Sequence, residues 1–184
     1  MDILKRCSVI CALFLAFFVM HLTFSFAGDS KSLKREVSPD IKKEVEQKLS
    51  LLANEISQKK LMDNETAFAM LSDYLSKNSK IYGAAFAFAP QKKDGKVIKS
   101  SPYIYRSGEN LIKKNLIESY DYTKSNHKWY VTPVKKSKAV WSEPYYDEGG
   151  GNAWMITYSI PIYSSGKNPH LIGVVTSDVF LSEQ

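Results

Sequence analysis

"WSEPYYDEGGGNAWMITYSIPIY", residues 141–163, holds two of the chain's three tryptophans, two prolines and three consecutive glycines. The glycines punctuate it, and a glycine run between two aromatic, β-branched segments reads as a turn joining strands. One strand is expected near 140–146 and the next over 153–163. A last apolar segment, 170–180, is expected to pair with them.

The same texture extends outward. Ten of the eleven tyrosines and all three tryptophans lie between Tyr82 and Tyr163. "IYGAAFAFAP", residues 81–90, alternates large and small side chains and ends at a proline, which suits a strand. "QKKDGKVIKS" follows with an Asp-Gly turn and leads to a strand at "PYIYR", residues 102–106. Helical pieces are expected over Leu111–Ser119 and Lys128–Lys136. Upstream, Ser38 and Pro39 suit a helix start, and Ile41, Val45, Leu49, Leu52 and Ile56 recur at helical spacing. That stripe predicts a long helix to about Lys60, with a second from Asn64 to Lys77. The order of elements implies an α+β domain: a long N-terminal helix packed on an antiparallel sheet of five or six strands.

At 184 residues, with 44% hydrophobic and 24% charged residues, the chain has the composition of one folded domain. Its net charge of +6 is spread along the sequence with no dense basic block, so nucleic acid is not an expected partner. Lys5 and Arg6 precede an uncharged run, Cys7 to Ala27, that ends in "FSFA". This reads as a signal peptide over 1–27 or, by its length, as an uncleaved anchor in the inner membrane through residues 7–27. Either way the domain at 38–184, behind a flexible lead-in at 28–37, is expected outside a bacterial cytoplasm, periplasmic or secreted. Both cysteines, Cys7 and Cys11, fall in the export segment, so the domain has no disulfide and no thiolate.

Catalytic signatures are missing. His127 and His170 form no HExxH pair, and there is no GxSxG, P-loop or GxGxxG after a strand. "EGGGN" joins strands and lacks the helix N-terminus that holds a phosphate. Glu143, Asp147 and Glu148 read as loop acids rather than a glycosidase pair. The expectation is a non-catalytic protein without cofactor or metal.

The second half resembles the Cache family of extracytoplasmic sensor domains found in chemotaxis receptors, sensor kinases and PP2C-type phosphatases. The residues that carry the resemblance are Trp129-Tyr130, the "WSEPYYD" strand from Trp141 to Asp147, Gly149–Gly151, "TYSIPIY" from Thr157 to Tyr163, and "GVVTSD" from Gly173 to Asp178. It implies a PAS-like sheet behind the long helix, and a small ligand bound on that sheet. In an amino-acid-binding branch, matching positions fall at Tyr122, Trp129, Tyr130, Tyr145, Asp147 and Asp178. His127 stands where that branch has an arginine, and an imidazole cannot reproduce the bidentate fork on a carboxylate. Tyr105 is added because alternation turns it and Arg106 to opposite faces.

Two acids among aromatics suit a small polar cation, an amine or amino-acid-like molecule. Trp141, Pro144, Trp154 and Met155 are read as packing. Because such receptors continue into an output module, signalling is expected to pass through a partner: a membrane receptor, a kinase or a phosphatase. The alternative is a periplasmic interaction module or receptor fragment without its own ligand, forming a homodimer through the N-terminal helix.

Overall fold

The computed structural model describes residues 36–59 and 62–182. The expected export segment and nearly all of the lead-in lie outside the described residues. Among those described, no helix is long and apolar enough to cross a membrane.

Helix α1 runs Pro39–Ser57 and starts where the sequence places it, with the Ser38 side chain accepting from the Ile41 amide at 3.3 Å. Helix α2, Asn64–Ser76, is capped in the same way by Asp63, which accepts from the Thr66 amide at 2.8 Å. The α1 stripe Val45, Leu49, Leu52 and Ile56 is buried. Each such side chain contributes about 1.5–3 kcal/mol relative to an exposed one.

The strands are β1 (Gly83–Phe88), β2 (Gln91–Lys93), β3 (Lys96–Ile98), β4 (Pro102–Ser107), β5 (Asn110–Asn115), β6 (Val140–Trp141), β7 (Tyr145–Tyr146), β8 (Trp154–Tyr163) and β9 (Leu171–Phe180). Seven form one sheet in the order β5-β4-β1-β9-β8-β6, with β7 also on β8, and every pairing is antiparallel. The expected α+β class and PAS-like arrangement hold; the two short strands β6 and β7 take the sheet to seven. Pro144 has no amide to donate, so the expected 140–146 strand is broken into these two pieces. β2 and β3 form a separate hairpin turned by Asp94 and Gly95, both at positive φ.

One expectation fails. Leu111–Ser119 is not helical: it is the edge strand β5 followed by a 3₁₀ turn at Leu116–Glu118. An edge strand exposed along much of its length carries polar residues on both faces, which blurs the period of two.

The sheet has two covered faces. On one, Ala84, Phe86, Ile104, Ile156, Val175 and Val179 meet α1 and α2. On the other, Ala85, Ala87, Tyr103 and Val174 meet helix α3 (Lys128–Lys136) and the segment before it, through Leu116, Tyr122, Trp129 and Tyr130. Alternation assigns each β-residue to a face, so Tyr105 goes with Tyr103, and Arg106 goes to the helix side. There the Arg106 guanidinium donates to the carbonyls of Leu75, Asn78 (3.3 Å) and Ile81 (2.9 Å), closing the end of α2 onto the sheet. Arg106→Ala should therefore lower the unfolding free energy by about 2–4 kcal/mol, since buried carbonyls lose a charged donor. Arg106→Lys should recover only part of it; the urea midpoint measures both.

Candidate ligand site

Four strands align one row of the sheet under the α3 side. Tyr105 pairs with Gly83, Gly83 with Asp178, and Asp178 with Thr157. Gly83 makes room in this row: a Cβ there would lie 2.6 Å from the Tyr103 hydroxyl and 2.9 Å from Asp178 Oδ2. Asp178 is 4% exposed although it sits in an apolar strand, because the neighbouring small residues leave its carboxyl facing the α3 side. Thr157 Oγ1 donates to Asp178 Oδ1 at 2.8 Å, which leaves the Tyr145 hydroxyl to donate to Thr157 Oγ1, also at 2.8 Å. The Tyr103 hydroxyl is buried beside Asp178 and acts as a weak further donor to it, outside good hydrogen-bond geometry.

Asp147 arrives from the other direction, on the glycine loop. Its carboxylate accepts from the Gly151 amide at 2.9 Å and from the Tyr120 hydroxyl at 3.1 Å. Its backbone carbonyl accepts from Gly150 and Asn152. A Cβ on Gly150 would lie 2.0 Å from Asp147 Oδ2, so the loop must be glycine where the chain folds back over this acid. Tyr82 pins the same loop by donating to the Gly151 carbonyl at 2.7 Å. The glycine run thus does more than turn the chain: it seats Asp147.

The two acids raise each other's cost. Burial pushes Asp178 up to about 7, and the charge of Asp147 adds to the shift. Burial also raises Asp147, partly offset by the Gly151 amide and Tyr120. Among the described residues neither acid is in an ion pair. Lys114 acts on Asp147 at longer range, its ammonium being bound to the Gly149 carbonyl. Tyr103 and Tyr145 are held well above the usual phenol range, first by burial and then by these carboxylates.

Asp147, Asp178, Trp129 and Tyr145 line one cavity together with Ala85, Tyr103, Leu116, Tyr120 and Thr176. Its volume is about 10 Å³, the space of roughly one water. Four of the residues singled out in the sequence are therefore brought together here, and four are not. Tyr105 shares the row and stacks on Tyr103, with ring centroids 5.5 Å apart, but stays outside the cavity wall. Tyr122 and Tyr130 pack edge to face at 4.9 Å. The Tyr122 hydroxyl donates to the Phe88 carbonyl at 2.7 Å, which fixes it as support. His127 stacks on Tyr120 at 4.3 Å, and burial pulls its pKa below the ordinary value. Tyr103, Tyr120 and Thr157 were missed. The first and last were legible from alternation once Tyr105 and Asp178 were placed; Tyr120 had no sequence signal. Of the residues read as packing, Met155 is buried and Trp141 packs on Tyr158 and bonds Glu46 of α1, while Pro144 and Trp154 are exposed.

Residues 68–183 match the family described as methyl-accepting chemotaxis protein-like, first PDC sensor domain. The chain belongs to this family. The Cache resemblance is thereby borne out, and the domain is homologous to extracellular sensor domains of histidine kinases and chemoreceptors. Among solved structures, the extracellular domain of soHK1S-Z6, a protein named as a histidine kinase, is 30% identical. That match covers 77% of this chain and 54% of the other, with a TM-score of 0.68. The corresponding domain of mmHK1S-Z3 is 22% identical over 77% and 54%, with a TM-score of 0.60. A structure named methyl-accepting chemotaxis protein X is 21% identical over 77% and 58%, with a TM-score of 0.54. The latter two speak to the fold alone. The chain spans about half the length of these neighbours. No curated protein sequence matches it.

The raised acids set a pH dependence. In the unfolded chain Asp178 titrates near 4 and in the folded one near 7, so between these values the folded state holds the extra proton. The contribution of Asp178 to stability is then fully present below about pH 4 and is lost as pH rises towards 7. Thermal unfolding should show a melting temperature dropping by several degrees from pH 5 to pH 8. Asp178→Asn should flatten that slope and melt higher than the parent at pH 8.

Proposed function

We propose that this PDC domain is an extracytoplasmic sensor that binds a small cation, an amine or amino-acid-like molecule, at Asp147 and Asp178. It reports the bound state to a partner of bacterial signal transduction: a receptor, a kinase or a phosphatase. One observation carries the reading. Two carboxyls, 7% and 4% exposed, converge beneath aromatic walls, and neither forms an ion pair among the described residues. Burying one unpaired carboxylate is costly and burying two is more so. A protonated amine relieves both and gains from the faces of Trp129 and Tyr145. His127 lies stacked on Tyr120 and outside the cavity wall, so no fork meets a carboxylate, which favours the amine end of the ligand class.

Placement outside the cytoplasm follows the expected export segment at 1–27, cleaved or retained as an anchor, and agrees with the extracellular neighbours. The role in this reading is binding rather than catalysis, in keeping with the sensor-domain family to which the chain belongs.

The closed cavity favours a second reading, that of an interaction or dimerisation module. Leu51 of α1 is 71% exposed beside a groove between α1 and α2, where a second copy would dock. Calorimetry separates the two. A ligand cation requires ionised Asp178, so amine affinity should rise about ten-fold from pH 6 to pH 8 and binding should release protons. Asp178→Ala should abolish the heat. An amine panel giving neither heat nor a higher melting temperature at pH 8, with the protein sedimenting as a dimer, would leave the interaction reading standing.

A further inference from the structure

A larger cavity, about 310 Å³, lies between α3 and the β6–β7 crossing. Trp129, Thr132, Val140, Trp141, Pro144 and Tyr145 form most of its wall, with Asn126, Lys128 and Glu143 at the polar side. Trp129 and Tyr145 also line the small cavity that holds the acid pair, so the two spaces share a partition. One half of that partition stands on a short strand, although its ring packs against the Trp129 cluster. Tyr145 belongs to a two-residue strand that follows Pro144 and pairs with β8 alone, and a single hydrogen bond to Thr157 fixes its hydroxyl. Swinging its ring breaks that hydrogen bond and gives up its packing against the Trp129 cluster, contacts that a body entering the chamber replaces.

We infer that the two cavities are one divided ligand site, taking an amine whose apolar body fills the Trp129–Trp141 chamber while its ammonium passes Tyr145 to reach Asp147 and Asp178. The inference rests on the amine reading and adds the shape of the ligand. The small cavity admits little more than an ammonium group, so any body attached to it must lie elsewhere, and the chamber is the adjoining space. Its wall is mainly apolar and aromatic, which suits an arylalkyl or branched alkyl group better than a polar chain. Moving Tyr145 also removes the hydrogen bond that Thr157 Oγ1 accepts while it donates to Asp178, linking occupancy of the chamber to the surroundings of the acid.

Methylamine and phenethylamine test this on the full exported domain at pH 8. Tryptophan emission serves as a second readout, since two of the three tryptophans line the chamber. Phenethylamine should bind at least ten-fold tighter than methylamine and shift the emission. Thr132→Phe, which fills the chamber and leaves the acids untouched, should weaken phenethylamine at least ten-fold and methylamine less than two-fold. Val140→Phe repeats the test from the opposite wall if the first variant folds poorly. Asp178→Asn should remove both ligands. Equal affinity for the two amines, or phenethylamine binding unmoved by Thr132→Phe and Val140→Phe, overturns the divided site while leaving a cation at the acids. Failure of both amines to bind the parent protein overturns this inference and the amine reading together.

Discussion

The mutual repulsion of Asp147 and Asp178 is the constraint around which the α3 side of this domain is arranged. A carboxylate on an inner strand is costly, and a second one facing it is costlier still. The surroundings answer mainly with hydrogen-bond donors, Thr157 for Asp178 and the Gly151 amide and Tyr120 for Asp147, while His127 and Lys114 act on Asp147 only at longer range. These are fewer bonds than two ionised carboxylates accept. The shortfall shows as an acid held near 7.

Several unusual features of the chain follow from that arrangement. The small residues of β1, Gly83, Ala85 and Ala87, open space above the sheet on the acid side, while Ala84, Phe86 and Phe88 fill the helix side. Glycines 150 and 151 let the loop fold against Asp147 and Tyr103. The helix side is an ordinary aliphatic core by contrast, stapled by Arg106 and by the Tyr74–Ser177 hydrogen bond. The two faces thus divide the chain's residues, with aliphatic packing on the helix side and the buried acids and most of the buried aromatics on the α3 side.

The sequence made much of this readable, for identifiable reasons. Long periodic segments such as α1 and β9 announce themselves through their apolar spacing, and the Asp94-Gly95 hairpin through its turn residues. Asp178 stood out because an acid in "GVVTSDVFL" contradicts its neighbours. What sequence could not convey were contacts across elements. Nothing local shows that Tyr120 reaches Asp147, or that His127 lies flat on Tyr120. Nor does the motif that includes Tyr122 and Tyr130 show that their rings serve the core beneath the site. The β5 edge was misread because a solvated strand has no apolar face to betray its period.

Carbon-13 NMR of the aspartate side-chain carboxyls, following Asp147 and Asp178 through a pH titration with and without a bound amine, reads the central claim directly. The account predicts that at least one of the two carboxyls of the free domain titrates near pH 7, and that amine binding moves this titration below pH 5. Two carboxyls that both titrate below pH 4.5 in the free domain would contradict it.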